Sequence, residues 1–270
     1  MSDTKEDVKV NVAKSIRNFQ SKFNETPDGF GATRASLLRL LRANDLVGWS
    51  HNEESGRLDR KAFARLACGS TQVFSQRDYK EAHKSAVSIL IDCSGSMAGE
   101  RMKLTESAVI QLVKVLDKAD VNYRVFGFDS WHESETETLF DGSEYIPEDV
   151  RFYPFKHWNE SLQKAIPKLG SIGNCAFSGN PDYQGLMLSI EDLAKRPEKR
   201  KVLFFLTDSG SVNVRHMKYL DGVARDLGIT LIGIGIQASG VTKCYKHAVS
   251  IHDLSGMADG SFTTMLNAIK

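Results

Sequence analysis

Three apolar runs of the chain end on an aspartate: Ile91 is followed by Asp92, Phe128 by Asp129, and Leu206-Thr207 by Asp208. If the runs are parallel strands of one sheet, all three carboxylates lie at its carboxyl ends, the edge where open α/β sheets place their ligands. Converging carboxylates repel unless a cation or hydrogen-bond donors offset them, so burial alone is an awkward explanation for all of them. The first run continues as Asp92-Cys93-Ser94-Gly95-Ser96, a carboxylate and two hydroxyls at two-residue spacing around a glycine that permits a tight turn. Such oxygens suit a hard divalent cation, Mg²⁺ with Ca²⁺ or Mn²⁺ as variants, whereas softer metals would want His or Cys.

Other chemistries fit less well. The seven histidines are scattered, without H-E-x-x-H spacing, and no candidate His is expected near any motif. There is no G-x-x-x-x-G-K-[ST] loop for nucleotide hydrolysis and no G-x-S-x-G elbow. Gly233-Ile234-Gly235 lacks the third glycine of a dinucleotide site. A phosphotransferase with an Asp nucleophile after its first strand usually has a second Asp two residues on, where this chain has Ser94. No catalytic residue is assigned. Taken singly, Asp92, Ser94, Ser96 and Asp208 also read as helix N-caps; on adjoining strand ends they read together as metal ligands. Asp129 is as readily a loop-capping residue and is left out of that set.

The elements that must position these residues follow from hydrophobic patterning. Continuous apolar runs at Ala86 to Ile91, Tyr123 to Phe128, Val202 to Leu206 and Thr230 to Ile236 alternate with amphipathic stretches at Lys103 to Lys118, Ser189 to Lys195, His216 to Leu227 and Ser261 to Lys270. That pattern is an α/β fold, a Rossmann-like open, mostly parallel sheet flanked by helices. Residues 130–180 break the alternation with an acidic stretch (Glu133 to Glu137), the aromatics Phe152, Tyr153, Phe155 and Trp158, and a helix near Glu160 to Leu169. Packing across the sheet edge is the simpler reading of those aromatics.

Before the sheet, Val12, Ile16, Phe19 and Phe23 share one helix face, and Pro27-Asp28-Gly29-Phe30-Gly31 ends that helix. A second helix is expected from Thr33, with Leu37, Leu38 and Leu41 inward and Arg34, Arg39 and Arg42 outward, and a third near Leu58 to Ala67. The expected organisation is a helical extension at 1–67, a connector at 68–84 and the sheet domain at 85–270.

Composition narrows the partners. With 35 Lys+Arg against 34 Asp+Glu, the chain lacks the basic excess that nucleic acid or anionic membranes demand. No apolar run approaches the roughly 20 residues of a membrane span, and Met1 to Asp7 lacks the apolar core of a secretory signal, so the expected compartment is the cytoplasm. Cys68, Cys93, Cys175 and Cys244 lie far apart and read as reduced thiols.

The motif Asp92-Cys93-Ser94-Gly95-Ser96 after a buried strand resembles the D-x-S-x-S signature of von Willebrand factor A (VWA) domains, whose metal-ion-dependent adhesion site (MIDAS) binds a cation through the two serines. Asp208, within Leu206-Thr207-Asp208-Ser209-Gly210, resembles that family's third-motif Asp. Asn180-Pro181-Asp182 is similar to the Asn-x-Asp second motif of a narrower relative, the CobT subunit of aerobic cobaltochelatase, and this adds Asp182 to the ligand set, with Tyr183 or Gln184 in its place if the register shifts. The likeness to CobT extends to Trp49, to residues 53–59, to the Phe74 segment, to residues 195–201 and to Ile232-Gly233-Ile234-Gly235-Ile236, though the acidic, low-complexity middle region usual in CobT proteins is missing.

The resemblance implies a VWA fold, metal bound by Asp92, Ser94, Ser96, Asp182 and Asp208, and a partner's Asp or Glu filling an open coordination position. It further implies a non-catalytic adaptor of a CobS-like AAA+ ATPase, together remodelling a client protein in a chelatase-like complex. Two other readings of the same cluster stay open: a metal-dependent hydrolase or phosphotransferase, and a structural assembly protein in which the metal only rigidifies loops.

Overall fold

A computed structural model describes residues 12–25, 30–41, 48–59, 62, 66, 68–78, 85–119, 121–133, 137–138, 144–145, 148–176, 179–208, 214–257 and 260–268. The chain forms two compact units, Met1–Leu41 with Ser85–Lys270, and Arg42–Lys84.

The smaller unit is built on three antiparallel strands, β1 (Gly48–Glu53), β2 (Arg57–Leu58) and β3 (Phe74–Asp78), in the order β1-β3-β2. Leu58 therefore ends a strand rather than opening the expected third helix. Of that helix, Ala62 lies in a 3₁₀ turn and Leu66 in a helical one, while 60, 61, 63–65 and 67 fall outside the described residues. The stretch read as a connector contains β3. Alternation here is masked by polar residues such as Ser50, Ser75 and Gln76, which left no apolar run to read.

In the larger unit, α1 (Val12–Asn24) and α2 (Phe30–Leu41) precede a six-stranded sheet. Its strands are β4 (Ala86–Asp92), β5 (Asn122–Glu133), then, after a small β6–β7 pair (Glu137–Thr138, Glu144–Tyr145), β8 (Glu148–Lys156), β9 (Lys201–Thr207), β10 (Ile229–Ile236) and β11 (His247–Ile251). Their order is β11-β10-β9-β4-β5-β8, parallel except for β8, which runs antiparallel to β5 at the edge. The two edge strands, β8 and β11, were not expected from the sequence.

Helices α3 (Glu100–Lys118), α4 (Leu162–Leu169), α5 (Asp182–Ala194), α6 (Val214–Asp226), α7 (Val241–Cys244) and α8 (Gly260–Ala268) complete the unit. Strand residues alternate between two cores. Val87, Ile89 and Ile91 of β4 join Phe204 and Leu206 of β9 beneath Phe19, Leu37, Leu112, Leu169 and Phe262 from α1, α2, α3, α4 and α8. Leu90, Leu203 and Phe205 pack the other way, against Leu186, Leu220 and Val241 of α5, α6 and α7. Strands buried on both faces have to be apolar throughout, which is why these four read as unbroken runs.

The N-terminal helices pack on this unit: α1 lies against α3 and α4, and α2 against α8. Polar groups fix α1 as much as Phe19 does. Glu106 of α3, almost wholly buried, pairs with Lys22 and accepts from Asn18 Nδ2 at 2.9 Å, while Gln111 Nε2 donates to the carbonyls of Lys22 and Glu25 at 2.8 and 2.7 Å. Those carbonyls are the ones a helix end leaves unpaired. Of the aromatics of residues 130–180, Phe152 of β8 packs edge-on against Phe126 of β5 with ring centres 6.4 Å apart, and Trp158, just past β8, is covered by the Arg124 and Arg196 guanidinium groups at 5.3 and 4.7 Å.

Strand order decides where a site can form. From β4 the chain moves outward through β5 to β8, then returns to the other side of β4 with β9. The crevice outside the carboxyl ends of β4 and β9 is the switch point of the sheet.

Candidate metal centre

Asp92 is the last residue of β4 and is fully buried. The chain then turns through a 3₁₀ segment, Gly95–Met97, anchored by the fully buried Met97, and enters α3 through Gly99, whose φ of 82° favours glycine. This loop folds its polar atoms onto one another. The Ser94 N–H donates to Asp92 Oδ1 at 2.8 Å, and the Ser94 and Ser96 hydroxyls lie 3.1 Å apart.

From β9, Thr207 donates its hydroxyl to Asp92 Oδ2 at 2.8 Å. Ser96 Oγ donates to Asp208 Oδ1 at 2.9 Å, so Asp92, Ser94, Ser96 and Asp208 form one hydrogen-bonded chain across the switch crevice. The second oxygen of Asp208 is held by Arg101 Nη1, which also donates to the Ser96 carbonyl at 3.2 Å.

Burial pushes the Asp92 carboxyl up to about 6, against the hydrogen bonds from Ser94 and Thr207, and the neighbouring Asp208 charge pushes in the same direction. The anion is therefore incompletely compensated by its protein neighbours.

Asp182 is the first residue of α5, 7% exposed. Its helix is pressed against β5: a Cβ on Gly185 would stand 2.7 Å from Cδ2 of Phe128, so only glycine permits this approach. Gly179, just before the Asn180-Pro181-Asp182 motif, bridges to Ser130 two residues beyond Phe128, which brings the motif to the carboxyl edge. Asp182 and Asp92 both act on the buried Tyr245 phenol, raised first by burial, then by Asp182, Cys244, Asp221 and Asp92. Among the described residues the Oδ1 of Asn180 is buried with no hydrogen-bond partner.

Asp129, left out of the expected ligand set, has partners of its own on β8. It is fully buried, accepts from Arg151 Nε and Nη2 at 3.0 and 2.7 Å, and accepts the Tyr153 hydroxyl at 3.0 Å. Two further residues escaped the sequence reading. Thr207 was visible only as the neighbour of Asp208, and Arg101 only as a cation in the first turn after the loop. The reading that no histidine stands near a motif is corrected by the fold: buried His216 of α6 packs on Tyr183, next to Asp182, with ring centres 5.5 Å apart.

Among the described residues no three His, Cys, Asp or Glu side chains converge as a metal cluster. A cation here would rest on Asp92 and Asp208 with hydroxyl and amide oxygens. That oxygen set, the orphaned Asn180 Oδ1 and the undercompensated Asp92 fit a hard, partly hydrated cation.

A sequence profile of the family described as cobalamin biosynthesis protein CobT VWA domain matches residues 73–269. Among solved structures, the chain is similar to the pilus adhesin SpaC from Lactobacillus rhamnosus GG (12% identity, 70% of this chain and 30% of that one, TM-score 0.49). It is similar to proximal thread matrix protein 1 from the mussel byssus (14% identity, 69% and 46%, TM-score 0.46) and to BatB from Bacteroides thetaiotaomicron (13% identity, 68% and 98%, TM-score 0.43). The chain spans less than two thirds of the length of the adhesin and of the byssus protein. Among the described residues no helix is long and apolar enough to cross a membrane.

Proposed function

This chain belongs to the CobT VWA-domain family, and on that footing we propose that it is a divalent-metal-dependent, protein-binding adaptor rather than an enzyme. The observation that carries the reading is the hydrogen-bonded run from Asp92 to the Ser94 amide, and from the Ser94 hydroxyl through Ser96 to Asp208, set in the switch crevice between β4 and β9. Asp92, Ser94, Ser96 and Asp208 hold the cation, with Asp182 from the start of α5 and the Asn180 amide oxygen beside it. Mg²⁺ is the favoured ion, with Ca²⁺ or Mn²⁺ as alternatives. When bound, the ion supplies a coordination position to which a partner's Asp or Glu can add a charge-assisted contact.

The geometry of Asp92 favours binding over catalysis. Both its oxygens accept hydrogen bonds and none of its surface is exposed, which suits a fixed ligand better than a nucleophile needing in-line approach. By family, the partner is a cytoplasmic, CobS-like AAA+ ATPase, and the two act on a client protein in a chelatase-like complex. The test is a pull-down of that ATPase and its client in Mg²⁺, in EDTA, and with Asp92→Ala. Capture in Mg²⁺ alone, lost in the variant, is expected; equal capture by Asp92→Ala would sink the role of the metal.

A further inference from the structure

Arg101 has no conventional reason to stand where it does. It lies in the first turn of α3, where exposed N–H groups make a cation unfavourable and an anion such as the neighbouring Glu100 favourable. Its guanidinium spends its hydrogen bonds on two oxygens of the candidate centre, Asp208 Oδ2 and the carbonyl of Ser96. The two partners differ in freedom: the Arg101 side chain is 39% exposed, that of Asp208 only 3%. Asp208 is thus held on one oxygen by the loop hydroxyl of Ser96 and on the other by a cation whose arm can swing into solvent.

We infer that Arg101 is an internal counter-ion that competes with the divalent cation for Asp208 and so sets the affinity of the centre. The inference rests on the metal reading given above. A divalent ion drawing on Asp208 uses the same carboxylate that the guanidinium neutralises, and two cations sharing one carboxylate repel each other in a partly buried site. Either the ion binds weakly with Arg101 in place, or Arg101 is released to solvent as the ion enters. The first route costs the repulsion between ion and guanidinium, the second the Arg101–Asp208 interaction, and each weakens binding. The opposite arrangement, in which Arg101 steadies Asp208 for the ion, makes the opposite prediction.

The test is titration of the full chain with Mn²⁺, following free Mn²⁺ by electron paramagnetic resonance, for wild type, Arg101→Gln, Arg101→Lys and Asp92→Ala. Arg101→Gln is expected to bind about three- to tenfold more tightly than wild type, the range for removing a part-exposed ion pair and its like-charge neighbour. Arg101→Lys, which keeps the charge, is expected to stay within about twofold of wild type. Binding by wild type that is unchanged or weakened in Arg101→Gln would overturn the inference while leaving the metal reading intact. Binding by wild type that Asp92→Ala retains in full would place the ion elsewhere and overturn both, as would absence of binding to every variant. Thermal melts without metal accompany the titration, and a misfolded Gln variant would be replaced by Arg101→Met, with the same expectation.

Discussion

Asp92 ends β4 and Asp129 lies within the adjacent β5 at almost the same level, Asp92 being in register with Phe128, and both are fully buried. Their surroundings differ in one respect that matters. Asp129 receives a two-point guanidinium contact from Arg151 and the hydroxyl of Tyr153, so the protein itself supplies its countercharge. Among the described residues Asp92 accepts from Ser94, through its amide and its side chain, and from the Thr207 hydroxyl; it stands near a second carboxylate and is pushed up to about 6 by its burial. A buried carboxylate already paired by the fold belongs to the architecture, whereas one left short of positive charge is a place for a ligand. The sequence pattern places both at strand ends, but β5 continues past Asp129 to Glu133, where β8 pairs with it and supplies the countercharge.

The sharpest way to break this comparison is to remove the countercharge of Asp129. Arg151→Ala leaves a buried anion with one hydroxyl, and is expected to lower stability by roughly 2–3 kcal/mol in urea unfolding. That is below the usual figure for a broken buried pair because Arg151 is itself 35% exposed, so water already shares its charge. Mn²⁺ affinity should stay within about twofold of wild type. A large fall in affinity with stability intact would show Asp129 to be part of the metal centre, and the distinction would collapse.

The complementary change is Asp92→Asn. It deletes an undercompensated charge in favour of a near-isosteric amide, so stability without metal should hold or rise by about 1 kcal/mol. Metal affinity should fall about 100-fold, equivalent to about 2.7 kcal/mol. The same asymmetry should appear in melting curves. Saturating Mg²⁺ at 100 times its dissociation constant stabilises wild type by about 2.7 kcal/mol through linkage, and EDTA should remove that gain. Asp92→Asn, about half saturated at that concentration, should gain only about 0.4 kcal/mol. A variant that gains as much from Mg²⁺ as wild type would move the cation off Asp92.

The contrast between the two aspartates also explains what could be read in the sequence. The inner strands β4, β5, β9 and β10 are apolar on both faces and announce themselves, and the loop motif after β4 carries its ligands within five residues. The edge strands β8 and β11 are half-exposed along much of their length, and β8 includes Pro154, so neither leaves an apolar run. Because Arg151 and Tyr153 both come from β8, the status of Asp129 was undecidable until that strand was placed. Apolar spacing marks helix α5 only from Ser189 and the motif before it places the start near Gln184; it begins at Asp182, with a polar first turn. Thr207 and Arg101 reach the centre through side-chain hydrogen bonds set by tertiary packing, for which sequence periodicity carries no signal. His216 and Tyr183 meet only because α5 and α6 pack side by side.

The smallest effect gives the finest comparison, since Asp92 and Asp129 each accept a hydroxyl from the neighbouring strand, Thr207 of β9 and Tyr153 of β8. Thr207→Val and Tyr153→Phe both delete that donor with little change of shape, and each should lower stability by about 1 kcal/mol. Their consequences for metal should diverge. The Thr207 hydroxyl holds Asp92 Oδ2 in place, so its loss frees a proposed ligand to turn, and groups that orient a ligand are worth roughly tenfold or more in affinity. Removing the Tyr153 hydroxyl leaves Asp129 gripped on both oxygens by Arg151, with no metal ligand disturbed, so Mn²⁺ affinity should not change. Thr207→Ser keeps the donor and should recover most of the lost affinity, separating the hydrogen bond from the methyl group. Equal weakening of Mn²⁺ binding by Thr207→Val and Tyr153→Phe would mean that the two carboxylates work as one centre, because only a shared ion could make the deletions equivalent.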